Sequence, residues 1–290
     1  MTARPDRRDF VKTLALGAGT ALASSAKSHA RTVGANDRLG IGMIGLGRMA
    51  RGHLENLLAE PDAEVRALCD VYEPNLRFAA EKAPEAKTYT DFREVLGRDD
   101  IDAVVIATPD HWHALPTVMA CDAGKDVYVE KPTSVALAEG RKMVEAGRRN
   151  DRIVQVGTQQ RSGPHFKYAV QLVRSGTLGE VTFVRTWNYG NALPDGIGNP
   201  PDGTPPKGLD WDMWLGPAPK VPYNENRFGV FLDDELEYQR WASFRHFWDY
   251  AGGMMTDWGV HLLDFALYGM DQYVPNTVIS SGGKFAYPGD

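Results

Sequence analysis

One hexapeptide in this sequence has the spacing of a loop that holds phosphate groups. Gly45-Leu46-Gly47-Arg48-Met49-Ala50 has the pattern G-x-G-x-x-A and lies between a predicted strand and a predicted helix. Gly45 permits a tight turn, Gly47 lets the backbone approach a pyrophosphate, and Ala50 keeps the helix close to the strand. The helix N-terminus would face the phosphate charge. The candidate cofactor-binding residues here are Gly45, Gly47, Arg48, Met49 and Ala50, although an unrelated Gly-rich turn can carry the same pattern.

An acidic residue strengthens the dinucleotide interpretation. Asp70 ends the second predicted strand, about twenty residues past the glycine loop, where a carboxylate can bind ribose hydroxyls. A carboxylate also repels a 2′-phosphate, and no Arg follows in Val71-Tyr72-Glu73. The sequence therefore predicts NAD as the cofactor, in preference to NADP.

Two further motifs follow predicted strands. Thr108-Pro109-Asp110-His111-Trp112-His113 comes after the fourth strand, and Glu130-Lys131-Pro132 comes after the fifth. Open α/β sheets bind ligands at the carboxyl ends of their strands. Lys131 could donate to a substrate hydroxyl and exchange a proton with it, or it could be a solvated surface lysine. The further candidate cofactor-binding residues are Thr108, Pro109, His113 and Glu130.

A fourth motif pairs a carboxylate with an imidazole. Asp257 and His261 are four residues apart in a predicted helix, Thr256 to Tyr268, which puts them on one helical face. Such a carboxylate can fix the tautomer of the imidazole and raise its basicity. The alternative is a helix-stabilising Asp with a His buried in the core. No third ligand lies at a recognisable spacing, so no metal site is predicted.

The elements that must position these residues alternate between strands and helices. Apolar runs at Leu39 to Ile44, Glu64 to Cys69, Asp102 to Ala107, Asp126 to Val129 and Ile153 to Val156 predict a doubly wound parallel sheet. The pattern changes after Gly157. His165 to Arg174 predicts a helix, Glu180 to Tyr189 a strand, and Asn276 to Ser280 the start of another. We therefore expect an NAD-binding domain at 31–157 and an α+β substrate or oligomerisation domain at 158–290.

The segment from Pro194 to Pro222 is too rich in proline for regular structure. With Trp211, Trp214 and Tyr223 it could stack on a sugar ring or pack in an oligomer. Cys69 and Cys121 are expected to be buried free thiols, because their spacing and surroundings suggest neither a disulfide nor a metal site.

Composition and the N-terminal segment bear on partners and location. The net charge is −6, and without a basic stripe nucleic-acid binding is not expected. No apolar run is long enough to span a bilayer, so we expect no membrane insertion of the mature chain. Residues 1–30 contain Arg7-Arg8, an apolar run and Ser28-His29-Ala30, which resembles a twin-arginine export signal. Asp6 departs from that pattern. A disordered basic N-terminus is the alternative to export into the periplasm.

Together the four motifs resemble the glucose-fructose oxidoreductase, inositol dehydrogenase and MocA (Gfo/Idh/MocA) family, from about Leu39 to Tyr268. The resemblance implies that Lys131 and His261 handle the substrate proton and that Asp257 supports His261. It also implies a cis peptide before Pro132, a sugar or polyol substrate, and a second domain with a large open sheet. Family members carry several more sheet strands beyond Asp290, so the sheet is expected to be cut short or the chain to be a fragment.

The leading expectation is an NAD-dependent oxidoreductase that acts on CH–OH groups, a homo-oligomer if its sheet is complete. One rival is a glycoside hydrolase that oxidises its sugar transiently and eliminates the glycosidic bond. Another is a sensor that keeps the dinucleotide site without catalysis.

Overall fold

The computed structural model of the chain describes residues 38–188, 197–229 and 243–283. The predicted export signal at residues 1–30 lies outside these ranges. Within them, the first part of the chain forms a six-stranded sheet in the order β3-β2-β1-β4-β5-β6, and every neighbouring pair is parallel. The strands are β1 (Leu39–Ile44), β2 (Ala63–Cys69), β3 (Lys87–Tyr89), β4 (Ala103–Ile106), β5 (Asp126–Glu130) and β6 (Val154–Gly157).

The helices between the strands cover both faces of this sheet, so the central strands are apolar along their whole length. β1 is buried from its second residue onward, and β4 is buried from its second residue as well. The connecting helices are α1 (Arg48–Ala59), α2 (Glu73–Lys82), α3 (Phe92–Leu96), α4 (Ala114–Asp122) and α5 (Leu137–Arg149). The doubly wound parallel sheet predicted from the apolar runs is confirmed.

The core of this domain forms two layers, one on each side of the sheet. One layer is centred on Ile106, Val104 and Val129, and the other on Met43, Leu54 and Leu68. Cys69 and Cys121 are buried as free thiols, as the sequence predicted.

The later part of the chain consists of helices and loops in the described residues. Its helices are α6 (Pro164–Arg174), α7 (Trp211–Leu215), α8 (Glu225–Phe228), α9 (Gly253–Asp257) and α10 (Gly259–Gly269). Short 3₁₀ turns lie at Gln159–Ser162 and Ser243–His246, and another, Asp110–Trp112, follows β4 in the first part of the chain. The helix predicted from His165 to Arg174 is present, and none of the described helices combines the length and apolar character needed to cross a bilayer.

Two predictions for this part do not hold in the described residues. Residues 180–188 and 276–280 form no strand, and the expected large open sheet is not found there. Their composition favours strands, but a strand needs a neighbour to pair with, and the described residues supply none. Phe183 and Trp187 are therefore 77% and 66% exposed.

The predicted helix from Thr256 to Tyr268 is two helices. α9 ends at Asp257, and α10 begins at Gly259 with Trp258 between them. The backbone N–H of His261 binds the Trp258 carbonyl only three residues back, which interrupts the regular α-helical ladder. Asp257 and His261 therefore do not share a continuous helical face.

Candidate active site

The glycine loop lies between β1 and α1 at the carboxyl edge of the sheet. Gly45 has φ +81, and a Cβ at this position would lie 2.8 Å from the Thr108 backbone nitrogen. Both the backbone conformation and the space thus require glycine there. At Gly47 an added Cβ would meet no atom within 4 Å. The protein's own packing does not require glycine at this second position.

The N-terminus of α1 is open to an anion. Gly47 is the N-cap residue, it provides no side-chain hydrogen bond, and the first turn holds no acidic side chain. The first N–H groups of a helix need a partner from outside the helix, and a phosphate is a suitable one. Arg48 and Met49 line the adjoining cavity, whereas Ala50 is buried in the core and keeps α1 close to the sheet.

Asp70 lies at the end of β2 and faces the glycine loop. Its carboxylate accepts hydrogen bonds from the backbone N–H of Leu46 (2.7 Å) and of Tyr72 (2.8 Å), and from the Asn75 side chain (3.3 Å). Burial raises the pKa of Asp70, and these hydrogen bonds oppose the rise. Asp70 therefore ties the glycine loop to the end of β2 as well as lining the cavity.

A cavity of about 270 Å³ runs along the carboxyl ends of β1, β2, β4 and β5. The strand order reverses between β1 and β4, and open α/β sheets bind ligands at such a reversal. The cavity brings together most of the predicted site residues: Gly45, Gly47, Arg48, Met49, Asp70, Thr108, Pro109, Glu130 and Lys131. Ala50, His113, Asp257 and His261 are not among its lining residues.

Lys131 is held by an ion pair that the sequence did not predict. Its Nζ lies 2.5 Å from Asp257 Oδ1 and also donates to the Asp257 backbone carbonyl at 3.2 Å. Arg245 Nε lies 3.0 Å from the other carboxylate oxygen. The side chains of Lys131, Asp257 and Arg245 are 10%, 3% and 15% exposed, so this is a buried cluster of charges. It joins the loop after β5 to α9 and to the turn at Ser243–His246.

The electrostatics of this cluster follow from its composition. Burial alone would raise the pKa of Asp257, but the charges and hydrogen bonds of Arg245 and Lys131 outweigh burial and hold the pKa below its ordinary range. One carboxylate oxygen of Asp257 binds Lys131 and the other lies beside Arg245, and among the described residues no hydrogen bond joins Asp257 to His261. The predicted carboxylate–imidazole pair is thus replaced by a carboxylate–lysine pair.

His261 lies beside this cluster. It is buried, and its Nδ1 has no hydrogen-bond partner in the part of the chain that the structure describes. Burial and the charge of Lys131 lower the pKa of His261, against the opposing charges of Glu130, Asp257 and Asp264. The imidazole is therefore neutral near pH 7.

Glu130 and His113 brace the two loops on either side of the cavity. Glu130 accepts from the backbone N–H of Lys131 at 3.1 Å, and one of its oxygens lies 2.8 Å from His53 Nε2. Burial would raise the pKa of Glu130, yet His53 and the Lys131 contact lower it. The ring nitrogens of His113 contact the carbonyls of Pro132 (2.5 Å) and Thr108 (2.9 Å). His113 is thus a bridge between loops, and the Lys131–Pro132 peptide is cis, as expected.

The later part of the chain forms one wall of the cavity. Trp214 packs against Trp211, with ring centroids 4.7 Å apart, and its backbone carbonyl accepts from the Trp112 indole at 2.8 Å. Trp211 and Tyr223 pack inside this aromatic cluster, while Trp214 also lines the cavity. The lining residues that sequence reasoning missed include Tyr72, Asn75, Met213, Phe228, Phe244 and Arg245. No periodic or spaced motif marked them in the sequence.

Comparison with known families supports this arrangement. The family model GFO_IDH_MocA, described as an oxidoreductase family with an NAD-binding Rossmann fold, matches residues 39–158. The model of its C-terminal alpha/beta domain matches residues 195–282. The two models follow each other in chain order and together cover more than half of the chain.

Individual relatives match over shorter stretches. The chain is 34% identical over 154 residues to the myo-inositol 2-dehydrogenase of Thermotoga maritima, covering 53% of this chain and 46% of that protein. It is 27% identical over 201 residues to a glycosyl hydrolase family 109 protein of Shewanella sp., covering 60% and 44%. The match thus spans less than half the length of these curated relatives. A crystal structure of an NAD-binding protein from Listeria innocua is similar with a TM-score of 0.57 at 25% identity, covering 79% and 54%.

Proposed function

The chain belongs to the Gfo/Idh/MocA oxidoreductase family, and from that premise we propose that it transfers a hydride between NAD and a CH–OH group of a sugar, polyol or sugar derivative. The observation that carries the proposal is that one and the same cavity is lined by the glycine loop and by Lys131. Similarity to a myo-inositol 2-dehydrogenase supports the substrate class.

The residues at one end of the cavity fit NAD. Gly45 and Gly47 would let the backbone approach the pyrophosphate, and the open N-terminus of α1 would face its charge. The empty space beside Gly47 is what such an approach requires. Asp70 would bind ribose hydroxyls with lone pairs that its backbone hydrogen bonds leave available. NAD supplies, when bound, the carbon that accepts the hydride.

The residues at the other end would hold and polarise the substrate. Lys131 lines the cavity and donates to the side chain and the backbone carbonyl of Asp257, and its remaining N–H would bind the oxygen of the reacting hydroxyl. Asp257 fixes the position of Lys131 through their ion pair, and Arg245 in turn pairs with Asp257. His261 is a neutral imidazole next to this group, and we keep it as a candidate proton acceptor that reaches the substrate through Lys131 or a water molecule.

The proposal is tested with the purified full chain, NAD and a panel that includes myo-inositol and glucose. With one sugar or polyol at a time, and so without a second substrate to reoxidise the cofactor, formation of NADH, followed by its absorbance, is the expected result. Lys131→Ala should lower this activity, and its control is Lys142→Ala, because Lys142 is 72% exposed on α5 and is not among the residues that line the cavity. If NAD binds but no sugar or polyol is oxidised or reduced, the hydride-transfer proposal fails and a binding protein becomes the better account.

A second candidate is glycoside cleavage with no net redox change. The observation in its favour is the similarity to a protein named glycosyl hydrolase family 109. In this reaction a sugar is oxidised, the glycosidic bond is eliminated, and the product is reduced again. Release of nitrophenol from chromogenic glycosides without accumulation of NADH would favour this candidate over a dehydrogenase.

We also propose that residues 1–30 direct export to the periplasm, on the strength of Arg7-Arg8 and the apolar run that follows. A chain tagged at its C-terminus should then be recovered from the periplasmic fraction. Replacement of both arginines by lysine should retain it in the cytosol. Unchanged fractionation of that variant would contradict export by this route.

Export would constrain the use of the cofactor, because the periplasm offers little free NAD. We therefore propose that NAD is loaded before export and returned to its starting redox state in each cycle. The periplasmic protein should complete many turnovers with no added NAD. If turnover stops after one equivalent and resumes only when NAD is added, a simple dehydrogenase is the better account.

A further inference from the structure

One segment from the later part of the chain is attached to loops on both sides of the glycine loop. This segment, residues 208–229, contains the end of the proline-rich stretch together with the short helices α7 and α8. The residues of the segment that line the same cavity as the glycine loop are Met213, Trp214, Phe228 and Gly229. The functions proposed above use the segment only as a wall, and they leave its attachments to the sheet domain unexplained.

The first attachment is to the loop that follows β2, within three residues of Asp70. The backbone N–H of Asp210 donates to the Val71 carbonyl at 2.9 Å, and the backbone N–H of Glu73 donates to the Gly208 carbonyl at 2.8 Å. Gly208 has φ +85, and a Cβ at this position would lie 2.9 Å from the Cβ of Glu73. Both the backbone conformation and the close approach of the two loops therefore require glycine at position 208.

The second attachment is to the 3₁₀ turn that follows β4. The backbone carbonyl of Trp214 accepts from the Trp112 indole N–H at 2.8 Å, and His111 Nε2 lies 3.0 Å from the same oxygen. Gly216 has φ +49, and a Cβ at this position would overlap the Trp112 ring. Glycine is required here as well, because the ring lies directly against the backbone of the segment.

The two attachments lie on opposite sides of the strand that carries the glycine loop. In the sheet, β1 lies between β2 and β4. Because the segment is fixed after both neighbouring strands and also lines the cavity, it spans the end of β1. Aromatic packing supports the span: the Phe228 ring lies 5.3 Å from the Tyr72 ring and 5.9 Å from the Trp214 ring, centroid to centroid. A dinucleotide at the glycine loop would therefore lie between the sheet and this segment.

We propose that residues 208–229 form a clasp that retains NAD, so that the cofactor leaves the cavity only when one of the two attachments opens. This inference rests on the NAD binding of the proposed function, and it concerns the release of the cofactor. Opening must break either the pair of backbone hydrogen bonds at the first attachment or the contacts of the Trp214 carbonyl at the second. Such an opening step limits the rate of release. Slow release suits the closed redox cycle proposed above, which uses the same NAD through many turnovers.

Two glycine substitutions should open the attachments from outside the cavity, because neither Gly208 nor Gly216 lines it. The added methyl group should displace Glu73 in Gly208→Ala and the Trp112 ring in Gly216→Ala. Alanine is strained in the closed arrangement and relaxed in the open one, so each variant should release the cofactor at least about tenfold faster than wild type. The matched control is Gly176→Ala, because Gly176 has φ +77, lies outside the clasp and has no atom within 4 Å of an added Cβ.

The release rate is measured by stopped flow. The full chain is loaded with NADH and mixed with an excess of NAD, and the loss of the fluorescence of bound NADH gives the rate. This readout does not depend on turnover of any sugar. Release from both glycine variants at the rate of Gly176→Ala would overturn the clasp.

A disulfide across the first attachment should have the opposite effect. Tyr72 and Leu209 form an antiparallel bridge between the two hydrogen bonds of that attachment. The Cα atoms of such a non-hydrogen-bonded pair are about 4.5 Å apart, which a disulfide can span. In Tyr72→Cys/Leu209→Cys, loaded with NADH before oxidation, the oxidised form should release NADH at least about tenfold more slowly than the reduced form. Dithiothreitol should restore fast release. Tyr72→Cys alone with the same oxidant is the control, because Cys69 lies three residues away.

The disulfide comparison also decides the question if the glycine variants do not fold, because it compares one loaded protein in two redox states. Equal release rates of the oxidised and reduced double variant would overturn the clasp. If wild type binds neither NAD nor NADH, the proposed cofactor fails and the clasp fails with it. If wild type binds the cofactor and these variants leave its release unchanged, the clasp alone fails and the hydride-transfer proposal stands.

Discussion

The two ends of the cavity are built in different ways. The end at the glycine loop consists of backbone groups and one carboxylate, all from β1, β2 and the loops next to them. The end at Lys131 consists of charged side chains that come from distant parts of the sequence. Residues 131 and 257, which form its closest ion pair, are 126 positions apart.

This difference separates two kinds of function. A backbone cradle suits a ligand that must bind in one orientation, since it depends on conformation and little on charge. A buried cluster of charges suits a group that must polarise an oxygen and control a proton. The two ends should therefore respond to mutation independently: changes at one end should affect cofactor affinity, and changes at the other should affect turnover.

The largest expected effect is at Lys131. Lys131→Ala should lower turnover by on the order of 10²–10⁴, because the hydrogen-bond donor to the substrate oxygen is lost. NAD affinity should stay near that of the wild type, because Lys131 lies away from the glycine loop. Steady-state kinetics and calorimetric titration with NAD measure the two quantities, with Lys142→Ala as the control. An equal loss of NAD affinity would show that the two ends are not independent.

Asp257→Asn should have the next largest effect, mainly on stability. The substitution removes a buried carboxylate that pairs with both Lys131 and Arg245, which costs about 3–5 kcal/mol. Asp264→Asn is the control, because the Arg161–Asp264 pair is more exposed and should contribute at most about 1 kcal/mol. Urea unfolding at pH 7 gives both values.

The pH dependence of this effect has a definite sign. The pKa of Asp257 is lowered in the folded chain, so its contribution to stability is present above the ordinary pKa of about 4. It is lost as pH falls through the folded-state value. The stability difference between the wild type and Asp257→Asn should therefore be largest near pH 7 and shrink below about pH 4. A difference that stays constant with pH would argue against the ion pair.

At the glycine-loop end of the cavity, two alanine substitutions should distinguish a glycine that the fold requires from a glycine that only NAD binding requires. In Gly45→Ala the alanine must adopt φ +81, and its Cβ overlaps the Thr108 backbone. The free energy of unfolding should therefore fall by about 1–3 kcal/mol. NAD affinity should fall as well. Gly47→Ala places its Cβ in open space and should change stability by less than about 1 kcal/mol. It should nevertheless weaken NAD binding. Equal NAD affinities for Gly47→Ala and wild type would contradict the cradle.

The same contrast explains what could be predicted from the sequence. β1 was predicted at Leu39–Ile44, where the structure has it, because an apolar run bounded by turn residues is a local signal. The glycine loop and Asp70 were found in the same way. Each of these depends on residues that are neighbours both in sequence and in the sheet.

The end at Lys131 could be predicted only in part. Lys131 and Asp257 were singled out, but the four-residue spacing pointed to His261 as the partner of Asp257. In the structure the helix breaks at Trp258, and Asp257 pairs with Lys131 and Arg245 in place of His261. Sequence spacing describes contacts within one helix, and it does not describe contacts between elements that tertiary packing brings together. No local sequence pattern marked Arg245 as part of the site.

The smallest expected effect concerns the choice between NAD and NADP, which we predict to favour NAD through the charge of Asp70. Asp70→Asn keeps the size of the side chain and one acceptor oxygen, which can still accept from the Leu46 N–H of the glycine loop, while the Tyr72 N–H loses its acceptor. It removes the charge that would repel a 2′-phosphate, and the ratio of the two dissociation constants should narrow about tenfold, or about 1.4 kcal/mol. Asn75→Ala is the control, since it removes a hydrogen bond to Asp70 and leaves the charge.

Because burial raises the pKa of Asp70, the preference for NAD should also weaken as pH is lowered and the carboxylate takes up a proton. Calorimetric titration of both cofactors over a series of decreasing pH values from pH 8 measures this. Equal affinities of the wild type for NAD and NADP at pH 8 would contradict the role of Asp70. A preference that persists unchanged in Asp70→Asn would instead attribute selectivity to the shape of the backbone cradle and extend the contrast between the two ends to cofactor choice.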